Sequence, residues 1–492
     1  MAGVGFELKK VFRENGGLLN SLRGFSLTAI ITEGPMILTM IMLWGNRLLL
    51  KMNHGSYRQE EIYLYAITYV MIFSLILSNT VLMFTDRFIS DCIYQKKTEM
   101  ILPSFFGIIL ALNMIGVPVS FLYLSTIPMG LAWKTAAMLC FSSMLVIWVQ
   151  MAYLSAIHQY SYELLGFFAG SIVSLAGSAV LMKLGLDGLL SVMYGTACGF
   201  LVMLCMFMAE LIAFFPMDRF DIFCFLPVLD HYRILILIGF LMATGLYGHN
   251  FVFWFSGFAD HVFETGVFCT KYDVPTFFAT LTIIPLLVRF VVSLETSFSL
   301  KNKTYFDTIL AGGRFDDIMA AKNDLVNTLY RELARTMESQ LVFTMLAVIF
   351  VGNILAFNGL DEAMLGIFRI LCFGYCIYGM VKSMTVILLY FDDRRGACIA
   401  AGLFTGTTVI LSVITLFLPV SFWGIGFLAG NAVTFIWLII RVRYMMEHLE
   451  YKVFCQQPLF VNGTVGLFER LKHRIDAKEE AYRYRRKVHE KR

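Results

Sequence analysis

Few residues of this chain are placed to do chemistry, because most of its polar groups interrupt long apolar runs. Glu33 stands within LTAIITEGPMILTMIML (27–43) and is followed at once by Gly34 and Pro35. A charged side chain at mid-bilayer costs about 2.5–3.5 kcal/mol or more, so such residues pair, face water or carry function. Proline removes a backbone donor and strains the preceding turn, which frees carbonyls near residues 31–32. A carboxylate beside opened backbone suits a proton or cation site, or an acceptor for sugar hydroxyls. The alternative is a glutamate satisfied by a neighbouring helix.

Arg289 follows Pro285 in another apolar run, with Glu295 six residues further on. Residues six apart do not share a helical face, so Arg289 needs a different partner. Glu33, at similar depth, is the expected one. His249 and Asn250, with Trp254 a turn later, bring together an imidazole, an amide and an indole. Aromatic faces stack on sugar rings and amides bond hydroxyls, although tryptophan also simply marks membrane interfaces.

Other chemistries find little support. The ten cysteines are scattered without C-x-x-C or metal spacing. Cys372 and Cys376 share a helical face and read as small packing residues. There is no G-x-x-x-x-G-K-[ST] for nucleotide hydrolysis and no soluble segment long enough for a nucleotide-sugar domain. Asp316-Asp317 and Asp392-Asp393 fall in connections, where helix starts outweigh metal sites. The chain reads as a protein that is not an enzyme, with no cofactor and no metal.

The elements that must hold these residues are membrane helices. Of 492 residues 58% are hydrophobic and 15% charged, with a mean hydropathy of +0.73, whereas soluble domains are about a quarter charged. A spanning helix needs about 20 apolar residues. Such stretches fall near 24–49, 62–84, 101–127, 131–157, 164–182 and 189–213, then near 234–256, 276–298, 341–358, 364–390, 396–418 and 423–441. The expected fold is therefore all-α and polytopic, with about 12 transmembrane helices in two six-helix lobes. Connections on one face hold only Lys51, Arg58, Lys183 and Lys271, and the positive-inside rule places both termini in the cytoplasm.

The expected organisation is a cytoplasmic segment over 1–23, an N-lobe over 24–215, a linker over 216–233, a C-lobe over 234–441 and a basic tail over 442–492. Phe6, Leu8, Val11 and Phe12 suit an interfacial amphipathic helix. Within the C-lobe, residues 299–340 repeat Ile318, Leu325, Leu329, Leu333 and Met337 at helical spacing. That segment either lies on the membrane or a partner, or packs under its own bundle. The tail is either solvated or drawn to anionic head groups.

Several stretches carry a family resemblance. MAGVGFELKKVF with Gly34-Pro35 resembles the start of PelG, the membrane component of Pel exopolysaccharide export. YDVPTFFATLTIIPLLVRFVVSLETSF followed by YFDTILAGG resembles that family's most recognisable stretch, at Tyr272, Asp273, Pro275, Pro285, Glu295, Thr296, Phe298 and Gly312. FTDRFISDCIY and LYFDDRRGACIAAGLF are similar to further family patterns, so the resemblance runs to about residue 430. Glu33 departs from it, since a small polar residue commonly precedes the family's Gly-Pro.

The resemblance implies a fold of the multidrug/oligosaccharidyl-lipid/polysaccharide flippase superfamily. It implies passage of an N-acetylgalactosamine-rich, partly deacetylated polysaccharide across the bacterial inner membrane, in support of a biofilm matrix. The implied partners are a cytoplasmic, PelF-like glycosyltransferase using a UDP-sugar, and PelD-like and PelE-like membrane subunits; no nucleic acid is implied. The alternatives are a flippase for lipid-linked sugars, a cation-coupled exporter of small molecules, and a non-transporting scaffold for the synthase.

Overall fold

The computed structural model describes residues 18–53, 55–157, 160–216, 221–357, 360–452 and 466–477; the side chains of 18–33, Tyr160 and Glu295 are outside that description. The first half is built from α1 (Leu18–Met52), α2 (Tyr57–Tyr94), α3 (Ile101–Ser125), α4 (Leu131–Ile157), α5 (Tyr160–Lys183) and α6 (Gly188–Phe214). The second begins with α7 (Leu226–Trp254) and a short hairpin, β1 (Asp260–His261) with β2 (Val267–Phe268). Then follow α8 (Thr270–Leu281), α9 (Ile284–Ser293), a π-helical turn (Leu294–Phe298) and α10 (Ser299–Leu310), stacked end to end. The half is completed by α11 (Phe315–Phe357), α12 (Glu362–Tyr390), α13 (Arg394–Thr415) and α14 (Ile425–Glu447). A last helix, α15, spans 467–477.

Eleven spans among the described residues are long and apolar enough to cross a membrane, the stack α8–α10 counting as one. With α1, of 35 residues, there are twelve, each overlaying an expected stretch. In the first half α6 packs on α5 and α4, and α1 lies on α5; in the second α13 packs on α14 and α7, and α12 on α14 and α8. The two lobes meet where α2 lies along α7 and where α1 meets α9. At the middle of the first seam a Cβ on Gly239 would stand 2.1 Å from the Asn79 carbonyl oxygen. Only glycine admits that approach of backbone to backbone.

Several local expectations change. Pro35 lies inside an unbroken helix, so the expected interruption of α1 does not occur; Thr39 Oγ1 donates to the Pro35 carbonyl at 2.8 Å. The segment 299–340 is not a separate amphipathic element. Its first part, α10, continues the eighth span, and its second part is the lower half of α11, a single helix of 43 residues. At 1.5 Å per residue α11 is about 64 Å long, twice the hydrocarbon thickness. Leu325, Leu329 and Leu333 are buried, so this half packs under its own bundle. The N-terminal segment 1–17 and the tail end 478–492 fall outside the described residues.

Candidate functional site at the seam between the lobes

The end of the bundle that carries the β-hairpin is called the hairpin end here, and the opposite one the tail end. At the hairpin end, the last turns of α7 and the first turn of α8 form one hydrogen-bonded cluster. Asn250 Nδ2 donates to Asp273 Oδ1 at 2.7 Å, and Trp254 Nε1 donates to Asp273 Oδ2 at 2.7 Å. The backbone N–H of Cys269 donates to the same Oδ2 at 2.9 Å. His249 Nδ1 and the Tyr272 hydroxyl are 2.8 Å apart. Residues read separately in the sequence, His249, Asn250 and Trp254 on one side and Tyr272 and Asp273 on the other, are thus one unit. Asp273 opens α8, where a carboxylate meets unpaired N–H groups and the positive end of the helix dipole.

Trp254 is not an interfacial anchor. It is buried, at 2% exposure, and stacks on Tyr69 of α2 with ring centroids 5.0 Å apart and planes at 9°. Tyr69 in turn stacks on Tyr123 of α3 at 5.6 Å. Its hydroxyl donates to the Val267 carbonyl at 2.7 Å and accepts from the Val267 N–H at 3.3 Å. One N-lobe tyrosine therefore acts as an edge partner for the C-lobe hairpin. The hairpin is held further by Arg58, which bonds the Val262 carbonyl and lies over Phe263, and by Thr126 against Thr265 at 3.0 Å. Gly266 presses on Tyr65, where a Cβ would meet the ring at 2.8 Å. The hairpin is a strap from the C-lobe onto the N-lobe.

The sequence reading missed Tyr65, Tyr69 and Tyr123. Their signal was present as Tyr65, Tyr69 and Phe73, spaced by four residues along α2, one stripe of a helix face. It also missed Asn46, which is fully buried. Asn46 donates to Ser174 at 2.8 Å and accepts from Ser178 at 2.7 Å, tying α1 to α5 inside the N-lobe.

The tail end of the seam is built from charge. The Tyr232 hydroxyl donates to Asp91 of α2 at 2.8 Å, and its ring meets the guanidiniums of Arg87, 5.6 Å from the centroid, and Arg394, 4.5 Å away. Tyr232 is also the one residue of α7 with non-helical backbone, φ −115° and ψ 21°. The tail helix α15 docks beside it with one face. Asp230 Oδ2 accepts from the Glu469 N–H at 2.9 Å, capping α15 from another part of the chain. Lys472 Nζ bonds Asp221 and Asp476 at 2.7 Å each. Partial desolvation pulls the Lys472 pKa down, yet the hydrogen bonds to these two carboxylates leave it raised above the usual value.

The remaining candidates are scattered. Arg289 is half-buried on α9, and its Nε has no hydrogen-bond partner among the described residues. Its helix packs on α1, but the Glu33 side chain, like that of Glu295, is outside the description, so the expected pair with Glu33 is neither formed nor refused. Pro275 is buried within α8 and Pro285 lies in the first turn of α9. Thr296 Oγ1 donates to the Val292 carbonyl at 2.7 Å across the π-helical turn. Gly34 lines a cavity of about 550 Å³ between α1, α5 and α9, with Ile37, Leu38, Leu165, Phe168 and Ile284. Asp393 caps α13 and is clasped by Arg441 through two bonds of 2.7 and 2.9 Å, and no group of three metal-ligating side chains occurs among the described residues.

A family model, PelG, described as "Putative exopolysaccharide Exporter (EPS-E)", matches residues 1–454. The chain belongs to the PelG family. A search of curated proteins finds no match. Among solved structures, an outward-facing multidrug resistance MATE family transporter of the MOP superfamily is similar to this chain at a TM-score of 0.61, with 13% identity over 89% of this chain and 98% of the other. A MATE in a bent conformation is similar at 0.57, with 14% identity over 91% and 99%. A MOP superfamily transporter from Pyrococcus furiosus is similar at 0.56, with 14% identity over 89% and 98%. The fold of this chain is thus that of the MOP transporters. Family and fold are those of multi-pass membrane transporters rather than enzymes.

Proposed function

We propose that this chain carries a nascent, N-acetylgalactosamine-rich exopolysaccharide of the Pel type across the bacterial inner membrane as it is synthesised, in support of a biofilm matrix. In this reading the tail end faces the cytoplasm, and a PelF-like glycosyltransferase using a UDP-sugar works there beside PelD-like and PelE-like subunits. The family match supports the substrate class. The observation that carries the mechanism is the seam, where two six-helix lobes close on aromatic rings and hydroxyls at one end and on Tyr232, held by Asp91 and Arg87, at the other. Parting the hairpin end would expose Tyr65, Tyr69, Tyr123 and Trp254, flat faces of the kind that stack on sugar rings, with the Asn250–Asp273 pair behind them. No catalytic step, metal or cofactor enters this reading.

A second reading, a flippase for lipid-linked sugars, is favoured by one observation. The cavity beside Gly34 is lined almost wholly by apolar side chains, and Ile37, Leu165 and Phe168 are exposed around it. Such a slot suits a lipid tail between the lobes.

The test uses sealed inverted vesicles containing this chain, the glycosyltransferase and the accessory subunits, supplied with labelled UDP-N-acetylgalactosamine. Labelled polymer protected from added glycosidase until detergent is added measures export. Protection that requires this chain and falls in Tyr69→Ala and Trp254→Ala, with synthesis and folding intact, supports the first reading. Transport of a lipid-linked sugar without any glycosyltransferase supports the second. Equal protection in vesicles lacking the chain leaves only a scaffold.

A further inference from the structure

A second cavity lies away from the seam. It is a groove of about 670 Å³ between the lower half of α11 and the last turns of α14, floored by Met380 and Met384 of α12. We propose that this groove binds one phospholipid with a zwitterionic phosphoethanolamine head group, taken from the leaflet at the tail end.

The shape fits a lipid. The lining runs from Met337 to Lys322 on α11 and from Phe435 to Glu447 on α14, about 20 Å at 1.5 Å per residue, long enough for a polar head and the first part of an acyl chain that enters the bilayer along α14. Its polarity is graded along that length. The bilayer-facing part is lined by Met337, Phe435, Ile439 and Val442, and the neighbouring Ile436 and Ile440 are 60% and 64% exposed on the same stretch of α14. The tail-end part is lined by Lys322, Asn323, Arg443 and Glu447. A groove that passes from apolar to charged along the membrane normal matches an acyl chain followed by a polar head.

The charges select the head group. Lys322 is held by Glu450 at 2.7 Å and by the Glu447 carbonyl at 3.3 Å, so it closes the end of the groove and is not free for a ligand. Arg443 and Glu447 bond each other at 2.9 Å, with side chains 74% and 53% exposed. That surface pair is weak and open to exchange. A head group bearing a phosphate and a primary ammonium satisfies both members at once, phosphate on the guanidinium and ammonium on the carboxylate. An anionic glycerol head would leave Glu447 facing a negative charge, and a trimethylated ammonium has no N–H to donate.

The test is native mass spectrometry of the full-length chain in detergent, titrated with phosphatidylethanolamine, phosphatidylglycerol and phosphatidylcholine of identical acyl chains. The ethanolamine lipid should bind about tenfold more tightly than the other two, roughly 1.4 kcal/mol. Glu447→Gln should abolish that preference, and Arg443→Gln should weaken all three lipids. Both residues are exposed, so neither change threatens folding. Ala334→Trp, on the exposed wall of the groove, should displace the lipid. Equal binding of the three lipids, stronger binding of phosphatidylglycerol, binding indifferent to all three variants, or no retained lipid would each overturn the assignment.

Discussion

At the hairpin end of the α2–α7 seam, Tyr69 is stacked on Trp254 and hydrogen-bonded to the Val267 backbone. At the tail end, Tyr232 meets two guanidiniums and bonds Asp91. Each end thus uses a tyrosine to bridge the lobes, but the first closes mainly on rings and backbone hydrogen bonds, with Arg58 as a cation on the hairpin, and the second on charge. Stacked rings and backbone bonds are short-ranged and little affected by salt. A single hydrogen bond and a cation–π contact at a wet surface are individually weak and easily exchanged. The tail end is therefore the adjustable one, and α15 is fastened to it through Asp221 and Asp230.

The sharpest way to break this contrast is at Asp273. Asp273→Ala strands the Asn250, Trp254 and Cys269 donors, and should lower stability by about 3–5 kcal/mol. This is measurable as a shift of the SDS-unfolding midpoint of the purified protein, with Asp273→Asn losing less. A second, smaller effect belongs to the tail end. Lys472→Glu sets a carboxylate against Asp221 and Asp476, and should release α15 at a cost of about 1–2 kcal/mol, so limited proteolysis of the tail should quicken about tenfold. Should that variant instead destabilise the whole protein as much as Asp273→Ala, the two ends would not differ as stated.

Tyr69→Phe keeps the stack and removes only the hydroxyl that pairs with Val267. It should cost about 1 kcal/mol and speed hydrogen exchange at the Val267 amide about fivefold, with exchange at Glu469 unchanged. The smallest effect is that of salt. Raising ionic strength from 0.1 to 1 M shortens the screening length from about 10 to 3 Å. Distances between spin labels on α2 and α7 should then broaden at the tail end and stay constant at the hairpin end; broadening at both would merge the two classes of contact.

How much was legible depended on whether the signal was local. Twelve helices followed from hydropathy because a bilayer demands internally satisfied backbone over about 20 residues, whatever packs beside it. The amphipathic half of α11 was legible as a helix through Leu325, Leu329 and Leu333, but its continuity with the ninth span was not. A charged stretch after an apolar one reads as a boundary, although helical hydrogen bonds pass straight through. Pro35 misled for a related reason, since neighbouring groups can compensate a lost donor in a membrane helix.

The sequence by itself determined the membrane class, the helix count and the residue types that had to be special, because hydrophobic transfer and backbone satisfaction act within single segments. It also named both halves of the cluster, His249, Asn250 and Trp254 from chemistry and Tyr272 and Asp273 from resemblance. Only the tertiary structure decided that these are one unit, that Tyr69 of the other lobe seals it, and that the tail helix α15 is fastened to the linker through Asp221 and Asp230. Those are contacts between residues as far apart as 69 and 254, or 230 and 469. Their partners are fixed by how twelve separately stable helices pack, and no local period encodes that.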